Sequence, residues 1–207
     1  MPEPISLENS DLPLVEMRLP RERWSGLNSL LRQGFYVRVP GGLSLQQVLN
    51  QEFGISREYL QDRVQTIFLD SSPVDELEKA YPRAWSVVAL SSAMPGLVGA
   101  TMRKGGYYAA LRGDISYQGQ AAAKGQQELP LQIKLFNFLA PELAENFLSR
   151  VIILDNSPLL EFVQLQGSSF WAAPANILLQ GREVDRAELE DNLQKHGQTG
   201  LQVKCPD

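Results

Sequence analysis

One cysteine and one histidine are all that the chain carries. Cys205 alone cannot close an intrachain disulfide, which fits a reducing compartment. His196 with Cys205 falls short of every zinc site that needs four such ligands. They are also the only pair suggesting a thiol nucleophile with a base, and Cys205 lies three residues from the chain end, so no catalytic residue is assigned. Long apolar runs are missing: none approaches the ~20 residues of a membrane span. The first residues, MPEPISLENSDLPLVEM, carry acids where a signal peptide carries a basic region and an apolar core. A cytoplasmic location is expected, with no membrane partner. Lysine and arginine show no surplus. Residues 1–100 hold nine basic and twelve acidic residues, the remainder ten and twelve, and the net charge is −5. Nucleic acid is therefore not an expected partner.

The composition is that of a globular chain: 43% hydrophobic and 21% charged. At 207 residues the core needs no staple. The hydrophobic pattern predicts an α+β fold with a mixed β-sheet and about four helices. Pro20 opens a helix through Arg32 with Trp24, Leu27, Leu30 and Leu31 on one stripe, closed by Gly34. Phe35–Val39 alternates as a strand, and Pro40-Gly41-Gly42 breaks it. Ser44 and Gln47 form a Ser-x-x-Gln capping box for a helix burying Leu45, Val48, Leu49 and Phe53. A short helix over Ile55–Arg63 follows, then strands at Gln65–Leu69 and Ser86–Leu90. Tyr107–Arg112 and Ile115–Gln118 read as further strands. Leu129–Phe138 alternates as a half-buried strand, and Val151–Leu154 reads as a central one. Pro141 starts a helix running to Arg150, Leu159–Leu165 fits helix or strand, and Asp185 with Glu188 caps a helix to His196. Leu201–Cys205 is the last strand. The expected division is an N-terminal arm, 1–19, a unit at 20–103 and an α+β unit at 104–207, the last two packed together or continuous as one domain.

One internal echo is visible. Ile67-Phe-Leu-Asp-Ser-Ser-Pro-Val74-Asp75 matches Ile177-Leu-Leu-Gln-Gly-Arg-Glu-Val184-Asp185 in spacing. Strand–turn–helix starts draw on a small residue vocabulary, so coincidence is the preferred explanation.

Residues 35–99, through GGLSLQQVL, TIFLDSSPV and WSVVALSSAMPG, resemble the β-grasp, ubiquitin-like arrangement. Within it they are similar to the sulfur-carrier branch, which includes the small subunit of molybdopterin synthase. The resemblance implies a β-grasp-like N-terminal unit and a binding role. Carrier chemistry is not expected with it, because that works through a free terminal Gly-Gly, and here the chain continues and ends Cys205-Pro206-Asp207.

From Lys79 to Gly113 five basic residues stand without an acid. Inside this window Gly99, Arg103, Lys104, Gly105, Gly106 and Tyr108 make a glycine-rich basic corner that could hold an anion through backbone amides and positive charge. It lacks the Gly-Lys-Ser/Thr ending of a phosphate loop. A turn with exposed basic residues is the competing reading. Carboxylates gather at Asp70/Asp75/Glu76/Glu78 and at Asp185/Glu188/Glu190/Asp191, where helix-start roles suffice. No metal or cofactor is expected. Trp171, Pro174 and Ile177–Leu179 form an apolar stretch that suits a two-fold dimer contact or the core. The function expected is a non-enzymatic, bacterial-like binding or protein-interaction module. The alternative is an enzyme or small-ligand binder using the basic corner for an anionic substrate.

Overall fold

The computed structural model describes residues 12–94, 96–103, 106–107, 115–117 and 128–206. The chain parts by compactness into two units, Leu31–Phe147 and a discontinuous one made of Met1–Leu30 with Leu148–Asp207. The fold is α+β with mixed sheet, as expected. The described residues hold nine short α-helical segments rather than about four.

Unit Leu31–Phe147 opens with β2 (Phe35–Pro40), whose residues alternate inward and outward. Gly34, at φ +112°, turns the chain into it. Ser44 caps the next helix as the capping box requires: its hydroxyl accepts from the Gln47 amide, and the Gln47 side chain accepts from the Ser44 amide. This helix, α2 (Leu45–Gln47), continues as a π turn over Val48–Glu52 and buries Leu45, Val48 and Leu49. Gly54 (φ +66°) ends it. Ser56 then caps α3 (Arg57–Asp62). Strands β3 (Thr66–Leu69) and β4 (Ser72–Pro73) form a hairpin, and β5 (Val87–Ser91) lies antiparallel on the other side of β3. Asp75–Ala80 forms irregular turns between β4 and β5.

Gly96–Met102 is helix α4, and β6 (Glu128–Phe136) runs parallel to β5 and antiparallel to β2. The sheet order here is β2-β6-β5-β3-β4. Leu129, Leu131, Ile133 and Leu135 of β6 are all buried. Two short helices follow, α5 (Leu139–Glu142) and α6 (Ala144–Leu148). Phe147 brings Phe35 and Phe53 together, its ring centroid 4.9 Å and 5.0 Å from theirs. The expected strands Tyr107–Arg112 and Ile115–Gln118 lie mostly outside the described residues. Tyr107 and Ile115–Tyr117, which are described, are not strand.

In the other unit, residues 12–18, expected as an arm, contain the central strand β1 (Leu14–Arg18). It pairs parallel with β10 (Gln198–Lys204) and antiparallel with β8 (Asn176–Leu179), burying Val15 and Met17. The chain then enters a 3₁₀ turn over Arg21–Leu27 and α1 (Asn28–Gln33). Trp24 is buried there, its indole N–H donating to the Leu19 carbonyl at 3.0 Å. From β7 (Ile152–Asp155) the chain passes directly into α7 (Asn156–Leu165), so Leu159–Leu165 is helix. After α8 (Ser168–Trp171) come β8 and β9 (Arg182–Val184), a hairpin, and α9 (Arg186–Lys195), whose N-cap Asp185 accepts from the Glu188 amide at 2.8 Å. The sheet order is β7-β10-β1-β8-β9. No helix among the described residues is long and apolar enough to cross a membrane.

Candidate functional site

The described residues of the basic corner divide between helix α4 and the turn that follows it. Gly99 lies inside α4, and a methyl group there would overlap the Met94 carbonyl. Its missing side chain lets α4 lie against the preceding turn. Arg103, just past the helix, donates through Nη2 and Nε to Gln65 Oε1 at 2.9 Å and 3.3 Å. The Gly106 amide donates to the Arg103 carbonyl at 3.1 Å. Gly106 thus turns its donor inward, onto the chain itself. Lys104, Gly105 and Tyr108 lie outside the described residues.

His196 and Cys205 flank the two ends of β10. At about 3.3 Å per residue, seven strand residues hold them roughly 20 Å apart, too far for proton transfer. The two carboxylate groupings lie in different units. Among the described residues, no three His, Cys, Asp or Glu side chains gather in a way that would hold a metal ion.

The more developed site lies in the discontinuous unit, beside the β8–β9 hairpin. A recess of about 470 Å³ is lined by Trp171, Asn176 and Ile177 on one side and Glu183, Asp185 and Glu188 on the other. Sequence reading singled out Trp171 and Ile177 within the apolar stretch Trp171, Pro174 and Ile177–Leu179, and Asp185 and Glu188 within the carboxylate grouping Asp185/Glu188/Glu190/Asp191. The hairpin folds the two sets onto one cavity. Glu183 was not singled out. Its signal was its place on β9, paired with Leu178, two residues before Asp185.

Local chemistry makes the recess rigid. Phe162, buried on α7, meets Phe170 edge-on at 5.6 Å, and Phe170 meets Trp171 edge-on at 4.8 Å. These quadrupole-matched contacts run from the core outward to the half-buried indole. Arg23 Nη1 donates to the carbonyls of Phe170 and Ala172, at 3.0 Å and 2.5 Å, and so holds the end of α8. Arg186 donates to the Gln164 and Gln166 carbonyls at 3.0 Å and 3.2 Å, satisfying the orphan acceptors at the end of α7. Its Nε also donates to Glu190 at 2.7 Å. Arg182 is paired with Glu188, which raises the guanidinium pKa further.

Compared with protein-family models, with curated proteins and with solved structures, the chain matches none.

Arg186, the cation in the recess lining, is occupied by protein acceptors. Glu183 forms no ion pair among the described residues, and one oxygen of Asp185 is spent on the α9 cap while the other stays open. What results is an indole fixed beside carboxylates with no metal-binding cluster among them. That is the chemistry of a seat for an organic cation, which takes charge from the acids and a face from the indole. Ile177 and Leu179 are buried, so little of the expected dimer stretch is left as apolar surface.

Proposed function

We propose that the protein is a non-enzymatic binding module that holds a partner protein through a basic side chain, arginine above all, seated in the Trp171 recess. The observation that carries this reading is the convergence of Trp171 with Glu183, Asp185 and Glu188 on one cavity. A planar guanidinium can stack on the indole while its edge donates to carboxylates, a combination that an ammonium matches less well. Stacking contributes about 0.5–1 kcal/mol at an exposed site and more when desolvated. The ring chain Phe162–Phe170–Trp171 holds the indole in place before binding, so little side-chain entropy is lost. The grasp resemblance belongs to the same proposal. In the Leu31–Phe147 unit, a parallel strand pair flanked by antiparallel strands supports reading residues 35–99 as grasp-like, with β6 adding the parallel partner.

Fluorescence anisotropy with labelled hexapeptides of one length tests the proposal. Peptides bearing arginine should bind, lysine should bind more weakly, and glutamate or glutamine should not bind. Trp171→Ala should weaken the binding by about two- to five-fold or more. If instead acidic or phosphorylated peptides bind and Arg103→Ala abolishes it, the basic corner is the site and this reading falls.

A further inference from the structure

The two units share one strand plan, and each series ends in a hairpin. The series is β2-β6-β5-β3-β4 in one unit and β7-β10-β1-β8-β9 in the other, with parallel and antiparallel steps in the same order. The hairpins correspond residue by residue. Adding 110 to a residue number carries Leu69↔Ser72 onto Leu179↔Arg182 and Phe68↔Pro73 onto Leu178↔Glu183. Both turn through two residues of positive φ: Asp70 and Ser71 at 50° and 69°, Gln180 and Gly181 at 51° and 79°. The internal echo in the sequence, for which coincidence was preferred, is a hairpin repeated in the same register.

Register decides which backbone groups face outward. In an antiparallel ladder, hydrogen-bonded and non-bonded pairs alternate. The residues flanking a two-residue turn exchange bonds, so the next pair does not and the one after does. The Val74 amide donates to the Ile67 carbonyl at 2.8 Å, which fixes this phase in β3–β4. The outer strand therefore turns the backbone groups of Pro73 away from its neighbour in one hairpin, and those of Glu183 in the other.

The two outer edges are finished differently. Proline has no N–H, and the Pro73 carbonyl accepts from the Tyr117 amide at 2.9 Å. That edge is closed by the chain itself, with Pro73 buried. β9 ends its series with Glu183 exposed, and no described strand lies beyond it. Glu183 thus presents both an N–H and a C=O, and by the same alternation the Asp185 amide faces outward too. An unpaired edge of this kind is a template for a further strand.

Glu183 also lines the Trp171 recess, so the open edge and the cation seat share a residue. Two other lining residues, Trp171 and Asn176, each carry a buried polar atom with no hydrogen-bond partner among the described residues, Nε1 and Oδ1. Orphaned buried polar atoms are uncommon in folded proteins, and these two offer a donor and an acceptor to a group brought in from outside.

Resting on the cation-seat reading of the Trp171 recess, we propose that the partner segment is extended and adds to β9 as an antiparallel strand, with its arginine paired to Glu183. Antiparallel pairing lets that one residue exchange both bonds with Glu183, where a parallel strand needs two residues to do so. Paired residues share a face with their Cβ atoms about 4.5–5.5 Å apart, so the arginine side chain leaves on the side of the Glu183 carboxylate. A second copy of the chain is the poorer occupant, because two β9 strands paired about Glu183 set two glutamates opposite each other.

The test is fluorescence anisotropy of the full chain with three labelled hexapeptides that carry one central arginine. One is unmodified, one is N-methylated at the arginine, and one is N-methylated at the following residue. Successive amides of a strand face opposite sides, so only the first methyl blocks the edge. It should weaken binding by about tenfold or more, and the second by less than about twofold. Glu183→Pro, which copies Pro73, should weaken the unmodified peptide more than Glu183→Gln, which removes the charge and keeps the amide. If all three peptides bind alike, strand addition is refuted and the recess reading stands. If none binds, strand addition is refuted, and the recess reading falls with it when N-acetyl-argininamide also fails to bind. A homodimer in light scattering that Glu183→Pro dissociates would assign the edge to a second copy and overturn the proposal.

Discussion

Exchanging Ser71 and Gly181, one in each hairpin, tests whether the two turns are held by the same backbone geometry. Ser71 sits at φ 69° and Gly181 at φ 79°, in the region where an L side chain is strained. A non-glycine residue there costs about 1–2 kcal/mol. Glycine gives back about 0.4–1 kcal/mol through the greater freedom of its unfolded chain. The difference favours glycine by about 0.5–1 kcal/mol. Contacts do not blur this balance. A Cβ at Gly181 would meet nothing within 4 Å, and Ser71 is exposed. Ser71→Gly should therefore stabilise its unit, and Gly181→Ser should destabilise its own by a similar amount. With a urea slope of about 2 kcal/mol/M, each midpoint moves by about 0.25–0.5 M, in opposite directions. Urea unfolding of the two single variants measures this. Shifts of the same sign, or a destabilising Ser71→Gly, would refute the shared turn geometry.

Phe147→Ala removes the ring that joins Phe35 to Phe53 in a fully buried site, and should cost about 3–5 kcal/mol in chemical denaturation. Gly99→Ala forces α4 away from Met94 and should cost about 1–3 kcal/mol. Unchanged stability with loss of phosphate binding would show instead that Gly99 serves a ligand. Glu142 accepts from Arg63 and from the Tyr59 hydroxyl, and those bonds, Arg63 first, hold its carboxyl below the ordinary range. The folded-state pKa is depressed, so the stabilisation is full above the unfolded value and is lost as pH falls through the folded one. The Glu142 carboxylate keeps about a quarter of its surface in water, so the contribution is at most about 1 kcal/mol. Glu142→Gln should lower the melting temperature slightly at neutral pH and flatten its fall below about pH 4.3.

Local signals in the sequence were sufficient where the structure is local. The Ser44–Gln47 box, the Asp185 cap and the closure at Gly34 depend on residues within one turn, and each forms as the sequence implies. β1 could not be read this way. Leu14–Arg18 is a short alternation behind prolines, and it becomes a central strand because its partner, Gly200–Lys204, arrives some 186 residues later. The glycines of 96–106 resemble a loop by composition, yet Gly99 is small so that a helix can lie close to a carbonyl. Trp171 and Asp185 were each visible as residues of interest. That they share a cavity depends on the two-residue turn at Gln180-Gly181, which folds β9 back beside β8. The same turn at Asp70-Ser71 lacks glycine at either position, which hid the repeat. The Asp70 carboxylate is drawn into the fold instead, accepting from the Val87 amide and the Ser86 hydroxyl at 2.8 Å each.

The indole N–H resonance of Trp171 reports most directly on the central claim, since the ring is the recess wall that a guanidinium would cover. Three tryptophans give three such signals, and Trp171→Ala assigns this one. Titration with N-acetyl-argininamide should move it saturably, with the Trp24 signal, buried and bonded to Leu19, unmoved as an internal control. Glu183→Gln together with Asp185→Asn should weaken the response while leaving the α9 cap in place. A Trp171 signal that stays fixed through the titration, or that moves equally in the carboxylate variant, would contradict the assignment of this recess as a cation seat.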